Sequence, residues 1–259
     1  MITELSLIKL GGSVVTIKDQ ALTPNTRAID GLSRVLAKIK DPLIIIHGGG
    51  SFGHYWSVRY DMHSKPDLYD SRGISIVHES MMTLNQIIVK SLLEAGLRPY
   101  GIPPTSLFAD GTVNVTKIKE LLGFAQRGLI PVIFGDIVPM TEGRFSIISG
   151  DSLMTIVATQ IRPSRVVFTV NVDGVYDDMI SKKLVKVLNF PESEIHINDT
   201  YLDVTGGMGR KILEAFEIAK LGIDVHIVNG LNIDRVFDML RGREVEGTTV
   251  PAIIPKRRP

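Results

Sequence analysis

Four short segments place glycines beside residues that can carry charge: Lys9-Leu-Gly-Gly-Ser13, His47-Gly-Gly-Gly-Ser-Phe-Gly-His54, Ile148-Ser-Gly-Asp151 and Asp203-Val-Thr-Gly-Gly-Met-Gly-Arg-Lys211. Glycine-rich loops expose bare backbone N–H groups, and a following helix N-terminus adds its positive dipole end, so such segments suit anions. Lys9 at the end of a strand sets an ammonium beside the amides of Gly11 and Gly12, an arrangement for a polyphosphate. It is not a Walker A loop, because the lysine precedes the glycines. His54 adds a side-chain donor that works charged or neutral near pH 7. Asp151 is able to orient lysines or hold Mg²⁺, or to cap a helix. Each segment also has a plainer reading. These are a surface lysine before a turn, a glycine turn with a satisfied histidine, an aspartate N-cap, and a flexible loop in which Lys211 is incidental. Lys18, nine residues beyond Lys9, is within reach of the same site, although an isolated lysine is more often solvated. Together the lysines, loops and aspartate suit phosphoryl transfer, which needs positioning and charge neutralisation more than covalent chemistry.

The elements that must hold these groups read as alternating strands and helices. Leu5–Leu10, Leu43–Ile46, Leu129–Phe134, Arg165–Val170 and Asp224–Val228 are short apolar runs of buried-strand type, and Lys183–Val187 reads as a further short strand. Helical spacing or position marks Arg27–Lys40, the stretch from Ser51, Ile74–Ala95 with Gly96 as its cap, Leu153–Ile161 with Asp151 at its start, Gly209–Leu221, and Ile233–Leu240. Asp61–Ser71 and Pro191–Thr200 read as loops, and Asp136–Ile148 as a hairpin turning at Glu142-Gly143. The alternation predicts a mostly parallel sheet covered on both faces, with ligands gathered at the carboxyl ends of its strands.

Composition narrows the class. The chain has 259 residues, 44% apolar, with a formal net charge of +1, so no basic field suggests nucleic acid. No window approaches the ~18 consecutive apolar residues of a membrane span. The start, Met1-Ile2-Thr3-Glu4, lacks the features of a signal peptide. The absence of cysteine excludes disulfides, zinc thiolates and cysteine nucleophiles, and agrees with a cytoplasmic protein. The basic tail Lys256-Arg257-Arg258 reads as a solvated end. No Ser-His-Asp elbow, zinc motif or dinucleotide fingerprint competes with the phosphate reading. Gly48-Gly-Gly50 lacks the G-x-G-x-x-G spacing.

With Val172-Asp-Gly-Val-Tyr176 added, these motifs resemble, in order from residue 9 to residue 211, those of the amino acid kinase superfamily, in its isopentenyl phosphate kinase branch. Within the superfamily Phe52-Gly53-His54 is the discriminating feature, because relatives that phosphorylate carboxylates or carbamate are not expected to have this histidine. The resemblance implies an open three-layer αβα sandwich on one continuous sheet. Residues 1–150 would form a phosphoryl-acceptor half and residues 151–259 an ATP-binding half. It implies ATP and Mg²⁺, the ion held mainly by ATP phosphates, isopentenyl phosphate as acceptor, and a homodimer. Lys9, Lys18, His54, Asp151 and Lys211 would carry the chemistry. Lys9 would bridge the reacting phosphates, Lys18 and Lys211 would lie on ATP, and Asp151 would hold the lysines. Gly11, Gly12, Ser13, Gly49, Asp173 and Gly207 would join Lys9 and Lys211 around ATP. Gly48, Gly53, His54 and Gly150 would meet the acceptor. Asn171 stands where many relatives have aspartate, which argues against a direct charge or metal role there but not at Asp173.

The residue inventory agrees with this chemistry. A phosphate monoester has a second pKa of about 6, so its oxygen is anionic at pH 7 and needs no general base. The obstacle is repulsion between two anions. An apolar tail needs a slot, for which Ile74, Val77, Met81, Met82, Ile87 and Ile88 are candidates, though ordinary core packing explains each as well. His78 reads as a partly exposed helix histidine. The rivals are a kinase of the same fold acting on another small phosphate or phosphonate, an acylphosphate-forming amino acid kinase, and a nucleotide-binding sensor without turnover.

Overall fold

The computed structural model describes residues 4–177, 180–189 and 207–253. It opens with β1 (Ser6–Leu10), the single-turn α1 (Gly12–Val15), α2 (Thr26–Leu36) and β2 (Leu43–His47). Next come α3 (Gly50–Arg59), the long α4 (Ser71–Glu94), β3 (Pro99–Ile102) and a small hairpin of β4 (Phe108–Ala109) with β5 (Thr112–Val113). Then follow α5 (Val115–Gln126), β6 (Ile130–Phe134), a second hairpin of β7 (Asp136–Pro139) with β8 (Phe145–Ile148), α6 (Gly150–Ile161) and β9 (Arg165–Val170). The last described elements are α7 (Gly207–Ala219), β10 (Val225–Asn229), α8 (Ile233–Leu240) and β11 (Thr248–Val250).

Seven strands form one sheet in the order β11-β10-β9-β1-β2-β6-β3, parallel except at the β10–β11 edge. Every residue of β1, β2 and β6 is buried, as a parallel sheet covered on both faces requires. Successive side chains alternate faces. Leu7, Ile44 and Ile46 join the core beneath α5, α6 and α7, while Ile8, Leu10 and Ile45 join the core beneath α2, α4 and α8. The three-layer αβα architecture is therefore the one expected from sequence. From β1 the chain moves to β2 on one side, and only later reaches β9 on the other. β1 is thus a topological switch point, where such sheets open a ligand crevice at the strands' carboxyl ends.

Local sequence explains how the long helix is bounded. Asp70 caps α4 by accepting from the Gly73 N–H at 2.9 Å. At the other end Gly96 takes φ +85, and the N–H groups of Gly96 and Leu97 return to the carbonyls of Leu93 and Leu92 at 2.9 and 3.0 Å. This is a Schellman closure, so Gly96 ends the helix as expected. The hairpin expected over 136–148 is present, with Glu142 and Gly143 at positive φ in its turn.

Some expectations need correction. Lys183–Val187 is not a strand: it forms isolated bridges, Leu184 with Tyr176 and Val187 with Thr249, rather than a continuous ladder. α2 stops at Leu36 rather than Lys40, and α7 starts at Gly207 rather than Gly209. α1, β3, the β4–β5 hairpin, α5 and β11 are not among the expected elements. These are short or lie at the periphery, except α5, whose Ile118, Leu121 and Ala125 face the core at helical spacing. The Pro191–Thr200 loop, Asp203 to Gly206 and the basic tail lie outside the described residues.

Candidate active site

Lys9 sits on the same face of β1 as Leu7, so its side chain runs toward α6 and α7 near the carboxyl end of the strand. There its Nζ lies 2.6 Å from Asp151 Oδ1, and Lys211 Nζ lies 2.9 Å from the same oxygen. The three side chains are 5%, 11% and 8% exposed, which rules out solvated surface charges. Burial lowers the Lys9 pKa to about 7, and the neighbouring Lys211 pushes the same way against Asp151. Burial works to raise the Asp151 carboxyl, but the two ammoniums overcome it and hold it at about 2. Two lysines on one carboxylate leave a net positive, desolvated cluster. Replacing buried ions by apolar groups is often neutral or stabilising, so the fold itself gives little reason to keep this charge at the end of a central strand. An anion arriving there gives a reason.

α6 places Asp151 in its first turn, but the cap is Ser149, whose hydroxyl accepts from the Ser152 N–H at 3.0 Å. The N-cap reading of Asp151 is therefore overturned. Lys211 is the fifth residue of α7 and lies 5.6 Å from the Phe168 ring centroid.

The glycine segments interlock above this cluster. Gly11 and Gly12 follow β1, and Gly48 to Gly50 follow β2. A Cβ on Gly48 would lie 2.8 Å from the Gly12 nitrogen, and one on Gly12 would strike the backbone of Gly50. Gly50 itself has φ +48. A Cβ on Gly150 would meet the His47 carbonyl at 3.0 Å and Lys9 Cε at 3.1 Å, so the α6 N-terminus rests against both. Two threonines pin the loops. Thr169 Oγ1 accepts from Gly11 N–H at 3.0 Å and donates to the Lys9 carbonyl at 2.9 Å. Thr16 Oγ1 accepts from Ser51 N–H at 3.0 Å and donates to the Gly12 carbonyl at 2.7 Å. Neither threonine has a motif signal in sequence, because its partners are set by the fold.

The remaining expected residues divide. Gly49 and Gly53 pack under the Met81 sulfur, where added Cβ atoms would lie 2.9 and 3.0 Å away. Ser13 is half-buried in α1. His54 is exposed on α3, beyond Gly53. Lys18 is exposed in the turn after α1 and makes no ion pair or hydrogen bond to the cluster among the described residues. Gly207 opens α7 with nothing near its Cβ position among the described residues. Asp173 lies past β9 and accepts from Asn229 at 3.1 Å and Arg235 at 2.7 Å, hydrogen bonds that lower its pKa. Asn171 is exposed.

Several positioning groups carry no sequence signal of their role. His47, buried under its own loop, contacts Asn85 Oδ1 at 3.3 Å, and burial lowers its pKa to about 4. It is a neutral, structural imidazole. His78 is partly exposed as expected, yet its Nδ1 lies 2.6 Å from the buried Asp136. That hydrogen bond raises the His78 pKa, and burial raises that of Asp136. Both directions make the pair hold its shared proton. Arg210 Nη1 reaches Ser64 Oγ at 3.2 Å, a contact from α7 to the loop before α4. Of the tail-slot candidates, Met81 and Ile88 belong to the main core. Val77 instead joins Met62 and Ile137 in a separate apolar cluster, against which Ile74, Trp56, Tyr60 and Ile147 pack.

Comparison with known proteins agrees with this geometry. The model of the amino acid kinase family matches residues 4–229. The isopentenyl phosphate kinase of Thermoplasma acidophilum is 32% identical, covering 91% of this chain and 96% of that protein. The isopentenyl phosphate kinase of Methanothermobacter thermautotrophicus is 31% identical, covering 94% and 98%. A crystal structure of the T. acidophilum enzyme in its product complex matches with a TM-score of 0.79 at 30% identity, covering 95% of this chain and 99% of that one. A net-positive cluster at the switch point, crossed by interlocked glycine loops, is thus found in a chain that belongs to the amino acid kinase family and, within it, groups with the isopentenyl phosphate kinases.

Proposed function

We propose that the protein transfers the γ-phosphoryl group of ATP to isopentenyl phosphate, forming isopentenyl diphosphate and ADP. The observation that carries this reading is the buried Lys9–Asp151–Lys211 cluster beneath the glycine loops. An acceptor phosphate oxygen attacks the γ-phosphorus while the bond to the β,γ-bridging oxygen breaks. The acceptor is already anionic at neutral pH, so neutralisation rather than a base lowers the barrier. Lys9 reaches the space between the two phosphates, Lys211 the nucleotide, and Asp151 keeps both ammoniums in place. Gly11, Gly12, Ser13, Gly49 and Gly207 offer backbone to ATP, with Asp173 at its border, and Gly48, Gly53 and Gly150 offer backbone to the acceptor. Lys18 stands apart in this structure, so its role requires its turn to fold inward over the phosphates.

The acceptor's tail has a place beside its phosphate. The apolar cluster of Met62, Val77 and Ile137, with Trp56 and Ile74 against it, lies next to the helix that carries His54. ATP brings Mg²⁺ on its phosphates. Among the described residues no group of three His, Asp or Glu side chains forms a cation site, and Asp151 is committed to two lysines. The division of labour between residues 1–150 and 151–259, the cytoplasmic location and the homodimer belong to the same proposal. No helix of the described residues is long and apolar enough to cross a membrane.

The test is an ATP-coupled assay with isopentenyl phosphate, dimethylallyl phosphate and phosphonate acceptors side by side. Isopentenyl phosphate is expected to be turned over best. Preference for a phosphonate, or ATP binding without transfer to any acceptor, overturns the proposal. In the same assay His54→Ala is expected to lower turnover by more than ~100-fold, the scale of one oriented donor. Near wild-type kinetics would remove His54 from the acceptor site.

A further inference from the structure

The His78–Asp136 pair lies outside every motif that the phosphate loops account for. Asp136 begins β7 directly after Gly135, whose N–H donates to the His47 carbonyl at 3.1 Å and whose Cβ position lies 2.9 Å from the Gly150 nitrogen. Asp136 therefore stands one residue from the point where the β2 loop, the end of β6 and the α6 N-terminus meet. Its side chain is 0% exposed. Oδ1 accepts from the Ile137 N–H at 2.8 Å, and Oδ2 holds His78 Nδ1 at 2.6 Å. Burying a carboxylate is costly, and a single hydrogen bond to a 42% exposed histidine is a poor return for stability alone.

The face of α4 that carries His78 explains its use. His78, Met81 and Asn85 follow i, i+3, i+7 spacing and form one stripe. Met81 packs under Gly49 and Gly53, and Asn85 meets His47 at the loop's start. Ser80 Oγ donates to the Phe52 carbonyl at 3.0 Å, so this part of α4 is tied to the same loop. His78 stands one turn before Met81 on this stripe, and Met81 is the residue that packs against Gly53, the neighbour of His54. Its neighbour Val77 belongs to the apolar cluster assigned above to the tail. The Nε2 of His78 has no partner among the described residues.

We propose that His78, held by Asp136, is a second histidine donor to the acceptor's phosphate, its Nε2–H complementing His54 where the polar head meets the apolar tail. The assignment rests on the acceptor reading above. It deepens that reading by making Asp136 a positioning residue, which fixes the imidazole so that Nδ1 faces inward and Nε2 faces substrate. The pair is neutral overall and adds direction rather than net charge. It therefore favours a correctly placed phosphate without strengthening the general pull on ATP.

Two substitutions separate the two ring nitrogens. His78→Asn keeps a donor near the Nδ1 position for Asp136 but removes the outward one. His78→Gln places an amide near the Nε2 position and gives up Asp136. In steady-state assays, His78→Asn is expected to raise KM for isopentenyl phosphate roughly tenfold or more, the scale of one charge-assisted hydrogen bond, while KM for ATP and thermal stability stay near wild type. His78→Gln is expected to recover part of that loss. Asp136→Asn is expected to raise the same KM with a smaller effect on ATP. Unchanged acceptor KM in His78→Asn, or equal rises in both KM values, overturns the assignment while leaving the kinase reading intact. Failure of the wild-type protein to bind or phosphorylate isopentenyl phosphate would overturn both together.

Discussion

In the free protein the Lys9 ammonium is close to losing its proton at neutral pH, because burial and Lys211 bring its pKa to about 7. Bound polyphosphate is an opposite charge a few ångströms away and must raise that value. The sign follows directly: above pH 7 the free protein holds less proton on Lys9 than the nucleotide complex does, so binding takes a proton up. Titration calorimetry of ATP binding at pH 8, in two buffers of different ionisation enthalpy, should register uptake approaching one proton. kcat/KM for ATP should fall on the alkaline side with an apparent pKa of about 7, while kcat persists to higher pH because the complex keeps Lys9 charged. Binding that is independent of buffer would show that Lys9 is fully charged before ATP arrives. At this scale the chemistry was legible where residue and motif coincide. Lys9, Asp151 and Lys211 each adjoin glycines, and the structure brings all three to one carboxylate. The His78–Asp136 pair was not legible, because its partners lie 58 positions apart and meet only through the packing of α4 against β7. Lys18 shows the converse: proximity in sequence to Lys9 did not bring it to the cluster.

Among the elements, the loops that join strand to helix carry the precision. Gly12 and Gly207 were both assigned to the nucleotide, yet they sit in opposite environments. A Cβ on Gly12 collides with the Gly50 backbone, which a flexible side chain cannot relieve, whereas a Cβ on Gly207 meets nothing within 4 Å among the described residues. Gly12→Ala is therefore expected to part the β1 and β2 loops, lowering both the melting temperature and kcat. Gly207→Ala should leave the melting temperature unchanged, and should raise KM for ATP only if nucleotide approaches that backbone closely. Thermal melts beside kinetics of the two variants check the contrast, and equal stability loss in both would contradict the packing described. Element legibility follows burial in the same way. β1, β2, β6 and β9 announce themselves as unbroken apolar runs because both of their faces are covered. β3 escapes because it is an edge strand with Tyr100 and Gly101 exposed, and β11 because it is three residues long and antiparallel. Lys183–Val187 misled because it is bonded piecemeal, to Val175 and Asp177 on one side and to Thr248 and Thr249 on the other, and builds no continuous ladder.

Across the whole molecule, β1 lies between β2 and β9, so the sheet has no seam at the boundary near residue 150. The cluster is equally undivided: Lys9 comes from the N-terminal segment and Asp151 and Lys211 from the C-terminal one, joined at a single oxygen. Either half alone would expose an edge of β1 or β9 and leave a buried charge without its partner. The two halves are therefore expected to unfold together. Trp56, the single tryptophan, packs against the cluster of Met62, Val77 and Ile137 and reports the N-terminal segment, whereas far-ultraviolet circular dichroism also senses α6, α7 and α8. In a urea titration the fluorescence and dichroism transitions should coincide. Saturating ATP binds the folded state alone, and at 100 times its Kd contributes about 2.7 kcal/mol, so it should move both midpoints by the same amount. An ATP-dependent shift in dichroism that leaves the Trp56 transition in place would mean that the acceptor side folds independently of the nucleotide side. The central position of β1 could then not be what couples the two substrates.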